Sequence, residues 1–333
     1  MAVNSNGLNF SYETFCDYLP RITGRSSSPT NADSVNPLIR RILTSYPGST
    51  IYGVGGHSAL LLISDDICVK VSYNPGSEHI RHEQTIFRQL ESVPCPFIAH
   101  SLLCAPDLIF MELYKNGTLH ERLNSNNKPR PILQWMQQLS EAVACLEALG
   151  YAHGDINPRN IMFVEDDHLR LVDFDHALKS GDNLEVGDYP YVRPRSAEEG
   201  NTESGGTFGI ASADTEQFAL GSIFWYMVQG TELWVGINGP DLVDKLIARA
   251  CPEMDLEDPI NQIMRDCWKG KFKSIAELVA RVRQLAHSKS LEQKKIVCEK
   301  HYNLICDSLG DTEARSSETT NPLGRAQENQ RNA

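Results

Sequence analysis

The sequence predicts an α+β protein of two lobes, a small β-rich lobe carrying one helix followed by a larger, mostly helical lobe. Three observations predict it. Between residues 50 and 113 the apolar residues fall in short runs rich in Ile, Val and Leu, broken by glycines, Asp pairs and Pro-Asp turns. After Leu113 the apolar spacing becomes helical and stays so, apart from two short β runs between residues 160 and 174. The chain of 333 residues, 41% hydrophobic and 22% charged, is long enough to bury a core in each lobe without disulfides.

The elements follow in order. Residues 1–45 read as an N-terminal extension, partly disordered, because GRSSSPTNAD is poor in core-forming residues. Phe10, Tyr12, Phe15 and Tyr18 suggest a short docking element within it, and residues 36–46 an amphipathic segment. The first lobe spans 46–113. TIYGVGG is a strand that breaks into glycines, and ALLLIS and ICVKVSY form a hairpin across Asp65-Asp66. SEHIRHEQTIFRQLES is a polar helix, and PFIAHSLLC and DLIFMELY are two further strands.

The second lobe spans 114–288. It opens with a short helix, TLHERLNS, and a long amphipathic one, residues 131–150, stopped by Gly150. NIMFV and LRLVDF form a small hairpin. Residues 195–213, rich in Gly, Ser and Glu, read as a mobile surface insertion. Helices are expected near 214–229, 239–250, 259–268 and 274–286, with a separate one over 289–309 and a disordered tail over 310–333.

Charge and cysteine usage bound the function. The 43 acidic residues exceed the 31 basic ones, for a net charge of −12, which argues against a nucleic-acid partner. Nine cysteines with no CxxC pair argue against a zinc site and for reduced thiols in an intracellular, cytoplasmic setting. No apolar run is long enough to span a membrane, and the first residues lack the pattern of a signal peptide.

The residues that carry chemistry lie in HGDINPRNIMF, 153–163, and LRLVDFD, 169–175. Asp155 and Asn160 enter one strand of a hairpin, and Asp173 leaves the other. A carboxamide and a carboxylate on adjoining strands suit a hard cation such as Mg2+, which takes oxygen ligands and is completed by phosphates. Asp155 is then left to orient a hydroxyl.

These two segments resemble the protein-kinase superfamily, with its H-x-D-x-x-x-x-N loop followed by D-F. The resemblance extends over roughly residues 45–286. It implies ATP and Mg2+ as cofactors, Asp155 as the catalytic-loop Asp, and Asn160 and Asp173 as metal ligands. It further implies Lys70 as the phosphate-binding Lys and Glu83 as the helix Glu that holds it. Gly53, Val54, Gly55 and Gly56 take the place of the glycine-rich loop, with Ser58 at its third glycine. Met111, Glu112 and Leu113 take that of the hinge bordering adenine. The start of the helix that anchors the catalytic loop is represented by Glu216 or by Asp214.

The sequence also departs from the family. Gly154 replaces the Arg that reads an activation-loop phosphate. Asn157 replaces the Lys near the γ-phosphate, with Arg159 as a possible substitute. Asp175 replaces the Gly of D-F-G, a change expected to cost backbone freedom. Arg195 stands at the Glu of Ala-Pro-Glu, and Phe272 or Lys273 at its Arg partner. Three activities follow from the resemblance: a Ser/Thr protein kinase independent of loop phosphorylation, a small-molecule kinase of the aminoglycoside or choline type, or a nucleotide-binding scaffold. Nothing resembles the Arg-rich loop of tyrosine kinases. The weight falls on the first, with ATP and a protein acceptor as partners.

Overall fold

A computed structural model describes residues 2–8, 35–125, 129–196, 199 and 206–318. The first lobe is a six-stranded antiparallel sheet in the order β1-β2-β3-β4-β6-β5. Its strands are β1 (Ala2–Leu8), β2 (Thr50–Val54), β3 (Ser58–Leu62), β4 (Ile67–Ser72), β5 (Ser101–Ala105) and β6 (Leu108–Glu112). β1 is an edge strand added from the extension, paired with β2 through Ala2–Val54 and Val3–Gly53. The expected docking element at Phe10–Tyr18 lies outside the described residues.

Helix α1 (Pro37–Ser45) starts on Asn36, whose side chain accepts from the Leu38 N–H, and buries Ile39 and Ile42. They join Ile51, Leu61, Val69 and Val71 in one apolar cluster, so the expected amphipathic segment closes one face of the sheet. Helix α2 (Glu78–Leu90) buries Ile80, Ile86, Phe87 and Leu90 on a helical stripe, with Glu83 and Gln84 inside as well.

The second lobe contains α3 (Leu119–Asn124), α4 (Ile132–Ala148), β7 (Tyr151–Ala152), β8 (Ile161–Phe163), β9 (Leu169–Leu171), β10 (Leu178–Lys179), α5 (Ala213–Gln229), α6 (Gly239–Ile247) and α7 (Pro259–Trp268). α4 carries the β8–β9 hairpin. The Trp135 indole donates to the Asp167 carbonyl at 3.0 Å, and the Leu169 N–H donates to Gln138 Oε1 at 2.9 Å. α5 and α7 touch at Gly221, where a Cβ would stand 2.9 Å from Cys267 Cβ. Any larger residue would push the two helices apart.

Two expectations about the C-terminal half are corrected. The helices expected at 274–286 and 289–309 are one continuous helix, α8 (Ile275–Glu318), because no proline or capping glycine interrupts the run between them. It also runs into residues read as a disordered tail. Its first turns, to Arg283, belong to the compact unit 1–283, and the remainder to a second unit.

The segment read as a mobile insertion is held where it is described. Ala211 is fully buried and exchanges backbone hydrogen bonds with Gly181 and Asp182 at 2.9 Å. The Leu184 N–H donates to Gly209 O at the same distance. Glycine-rich composition suggested mobility, but here the backbone itself is the paired group.

Candidate active site

The site is built where β4, α2 and the β8–β9 hairpin meet. β4 pairs with β3 and β6 on both sides, Lys70 opposite Leu60 and Ile109, which fixes the lysine at the centre of the sheet. Its Nζ lies 2.6 Å from Glu83 Oε2 and 2.5 Å from Asp173 Oδ1, and all three side chains are at least 88% buried. Burial alone would push the Lys70 ammonium towards neutrality; Asp173 and Glu83 beside it hold it protonated instead. Burial opposes the charge on Asp173 too, but Lys70 draws its pKa down to about 2. The Glu83 carboxyl is pushed up to about 7 by burial, against the pull of Lys70.

Glu83 also accepts the Phe174 N–H at 3.2 Å. The Phe174 ring is buried, edge-on to Phe87 at 5.4 Å and packed on His153 at 5.5 Å. α2, the strand exit at Asp173 and the catalytic loop are thus fastened to one another around Lys70. Asp173 itself takes the left-handed backbone, φ 70°. Asp175, expected to suffer from replacing a glycine, is not among the described positive-φ residues. The unusual conformation falls two residues earlier, so the substitution carries no backbone penalty of that kind.

In the loop between β7 and β8, Asn160 Nδ2 donates to Asp155 Oδ2 at 2.9 Å and to the Asp155 carbonyl at 3.0 Å. Asn157 Nδ2 donates to Asp155 Oδ1 at 3.0 Å, and its Oδ1 accepts the Arg159 N–H. Asn157 therefore orients Asp155. Burial raises the Asp155 pKa to about 6, and the Asn157 hydrogen bond restrains the rise.

The Val172 N–H donates to Asn160 O at 3.0 Å, which sets Asp173 beside Asn160 across the hairpin. Asn160 Oδ1 is buried with no hydrogen-bond partner. A bare acceptor oxygen next to an ionised carboxylate fits a hard cation such as Mg2+. Among the described residues, no three His, Cys, Asp or Glu side chains form a metal cluster by themselves, so the remaining ligands would have to come from phosphates and water.

A cleft opens above this floor. Lys70, Glu83, Asp173, Met111, Glu112 and Leu113 line it, as does Arg159. The Leu113 N–H is already spent on the Asp66 carbonyl at 2.9 Å, and the Tyr114 carbonyl accepts from the Tyr52 hydroxyl at 3.3 Å, which leaves the Tyr114 N–H to face a ligand. The apolar walls include Leu60, Ala99, Met162 and Val172. Sequence reasoning missed Tyr52, Cys68, Ala99, Tyr114, Met162 and Val172 as cleft residues, because apolar and aromatic side chains carry no signal that separates a ligand wall from a core.

Gly53 and Val54 end β2, Gly55 and Gly56 lie on the turn to β3, and all four are outside the cleft lining. The turn is closed by a hydrogen bond from the Gly55 N–H to Ser58 O, and the Tyr73 hydroxyl donates to Gly55 O at 2.9 Å. None of these glycines has positive φ, and a Cβ on Gly56 would meet open space. The turn thus leaves room above its backbone rather than using a conformation only glycine allows.

The anchor of the catalytic loop is Glu216. It is fully buried and accepts the His153 N–H at 2.7 Å and the Gly154 N–H at 3.3 Å. Asp214 instead pairs with Arg249 at the surface. Gly154 has φ 75°, and a Cβ there would stand 2.8 Å from the His176 carbonyl and 2.6 Å from Leu178. Near Phe272, the Gln217 amide both donates to the Phe272 carbonyl at 2.8 Å and accepts its N–H at 3.0 Å. This neutral clamp secures the segment where the family's ion pair is missing.

The comparisons agree with this geometry. The protein kinase domain model matches residues 68–301. Human citron Rho-interacting kinase is 30% identical over 131 residues, 37% of this chain and 6% of its own length. Mouse myosin light chain kinase family member 4 is 23% identical over 190 residues, 54% of this chain and 46% of the relative. The proline-rich receptor-like protein kinase PERK15 of Arabidopsis thaliana is 24% identical over 196 residues, covering 52% and 38%. The chain spans less than a tenth of citron kinase and under half of the other two. With the family model covering most of the chain, and Lys70, Glu83 and Asp173 joined in one cleft, this chain belongs to the protein kinase family.

Proposed function

We propose that the chain transfers the γ-phosphoryl group of ATP to Ser or Thr hydroxyls of proteins. The observation that carries this reading is Lys70, buried and charged between Glu83 and Asp173 at the floor of a cleft walled by Met111–Tyr114. A cation fixed there anchors phosphates, and the apolar walls suit a flat base. Asn160 and Asp173 would hold Mg2+, which when bound neutralises charge on the phosphate oxygens. Asp155, held from both sides by Asn157 and Asn160, would accept the hydrogen bond of the incoming hydroxyl. Arg159, at the cleft and exposed, is placed to offset the missing lysine.

Transfer would not wait on loop phosphorylation. At Gly154, where an Arg would read such a phosphate, Leu178 and Leu184 fill the space. A protein acceptor is supported by the family match and by the relatives, each named as a kinase and none as a small-molecule phosphotransferase. The reading includes an intracellular, cytoplasmic setting, supported by its free cysteines.

The acceptor class is tested by incubating the chain with γ-labelled ATP, Mg2+ and, separately, generic basic and acidic protein substrates, aminoglycosides and choline. Label on Ser or Thr of protein is expected. Label appearing only on a small alcohol would overturn the acceptor assignment while leaving the cleft intact.

A further inference from the structure

Away from the cleft, two cysteines meet in a groove of about 420 Å³. Cys95 sits in the connection between α2 and β5, flanked by Pro94 and Pro96, and is 3% exposed. Cys145 lies on α4, half-buried, on the helix face that also turns Glu141, Ala144 and Ala148 into the groove. The two thiols both line this groove and perturb each other. Cys145 draws the Cys95 thiol down to about 7, against burial, while the Cys145 thiol is raised. One member of the pair is thus the ready nucleophile and the other its neighbour in reserve. Ala276, Val279, Ala280 and Arg283 also line the groove.

We propose that Cys95 and Cys145 form a reversible disulfide on exposure to a hydroperoxide such as hydrogen peroxide. The Cys95 thiolate attacks one peroxide oxygen, the O–O bond breaks, and the departing hydroxide takes a proton to become water. Cys95 is left as the sulfenic acid. Cys145 then attacks that sulfur: the S–S bond forms, the S–O bond breaks, and hydroxide leaves with the Cys145 proton as a second water. Two thiols lose two electrons in all, and the peroxide gains them. A dithiol reductant reverses the change.

The bond would join two segments that frame the site. The Cys95 connection continues into Phe97 and Ala99, which are hydrogen-bonded on either side of Leu171 in β9, two residues before Asp173. α4 leads through β7 into the loop of Asp155. The crosslink therefore ties the back of the cleft to the helix beneath the catalytic loop, independently of what the cleft phosphorylates.

The test treats the full chain with a few equivalents of hydrogen peroxide at pH 7.5, blocks remaining thiols with iodoacetamide, and maps peptides without reduction. A Cys95–Cys145 linked peptide is expected, abolished by dithiothreitol, with a melting temperature raised by at least about 4 °C before reduction. In Cys145→Ala, dimedone is expected to trap the Cys95 sulfenic acid. Cys298, which is exposed, serves as the control for unassisted thiol oxidation. Recovery of wild-type Cys95 and Cys145 both alkylated, or of Cys95 as a sulfinic acid with no link, would overturn the proposal. The mapping of wild type alone decides it, whatever the folding of the variant.

Discussion

At the residue scale the account rests on a charge that should not be buried alone. Lys70 is enclosed with two carboxylates, and removing it leaves both of them desolvated without a cation. Lys70→Met is therefore expected to lose on the order of 3–5 kcal/mol of stability in urea titrations, as well as phosphoryl transfer. An ordinary surface-lysine effect, under about 1 kcal/mol, would contradict the burial argument.

His153 offers a second test. Burial holds its ring neutral, with a pKa down to about 4 against the usual 6.5, while its Nε2 contacts the Val172 carbonyl at 3.1 Å. A histidine whose folded pKa is depressed contributes its full share above pH 6.5. That share is lost as the pH falls, because only the unfolded chain takes up the proton. The stability difference between wild type and His153→Phe should shrink by on the order of 2 kcal/mol between pH 7.5 and 5. Measuring the difference cancels the opposite trend of buried Glu216, whose carboxyl is raised to about 7.

At the element scale, the sequence left open which acid secures the catalytic loop to α5. Geometry favours Glu216 because it receives two backbone N–H groups in a dry setting, whereas the Asp214 side chain is 43% exposed and merely pairs with Arg249. Glu216→Ala should cost on the order of 2–4 kcal/mol and at least tenfold in kcat, both N–H groups being left without acceptors. Asp214→Ala should cost under about 1 kcal/mol. Thermal melts and steady-state kinetics on both variants check the ranking. Similar effects from the two would reverse the assignment.

Most elements were legible at this scale. The β2–β6 strands, α2, α4 and α5 each announce themselves by apolar period and by the glycines or caps at their ends. The 195–213 segment and the join within α8 were not. The first is ordered by backbone pairing, which composition does not encode, and the second depends on a missing stop signal rather than on a present one. β1 was hidden for a related reason: an edge strand needs a partner strand more than it needs an apolar pattern.

At the scale of the whole molecule, five polar residues separated by up to 103 positions come together between a sheet and a helical lobe. Their order along the chain, Lys70, Glu83, Asp155, Asn160 and Asp173, was readable because metal and phosphate chemistry leaves few residue types to choose from. What was not readable is how the departures from the family are absorbed. Asn157 turns inward to Asp155, Gln217 clamps Phe272, and leucines close over Gly154. The second and third contacts cross from one element to another, and the first closes within a loop. Ser180 and Tyr189 are the hydroxyl side chains between Asp173 and Tyr191. A loop closed by leucines needs no phosphate, so the Ser180→Ala, Tyr189→Phe double variant should keep at least half of wild-type transfer. Loss of activity with an unchanged melting temperature would show a phosphosite there.

The central claim is that these side chains form a working phosphoryl-transfer site. The most direct measurement compares wild type with Asp155→Asn, following label from γ-labelled ATP onto protein in parallel with calorimetric titration of ATP in Mg2+. The account predicts transfer by wild type, at least a hundredfold less by the variant, and ATP affinities within about threefold of each other. ATP binding with no transfer by wild type, or equal transfer by both proteins, would contradict it.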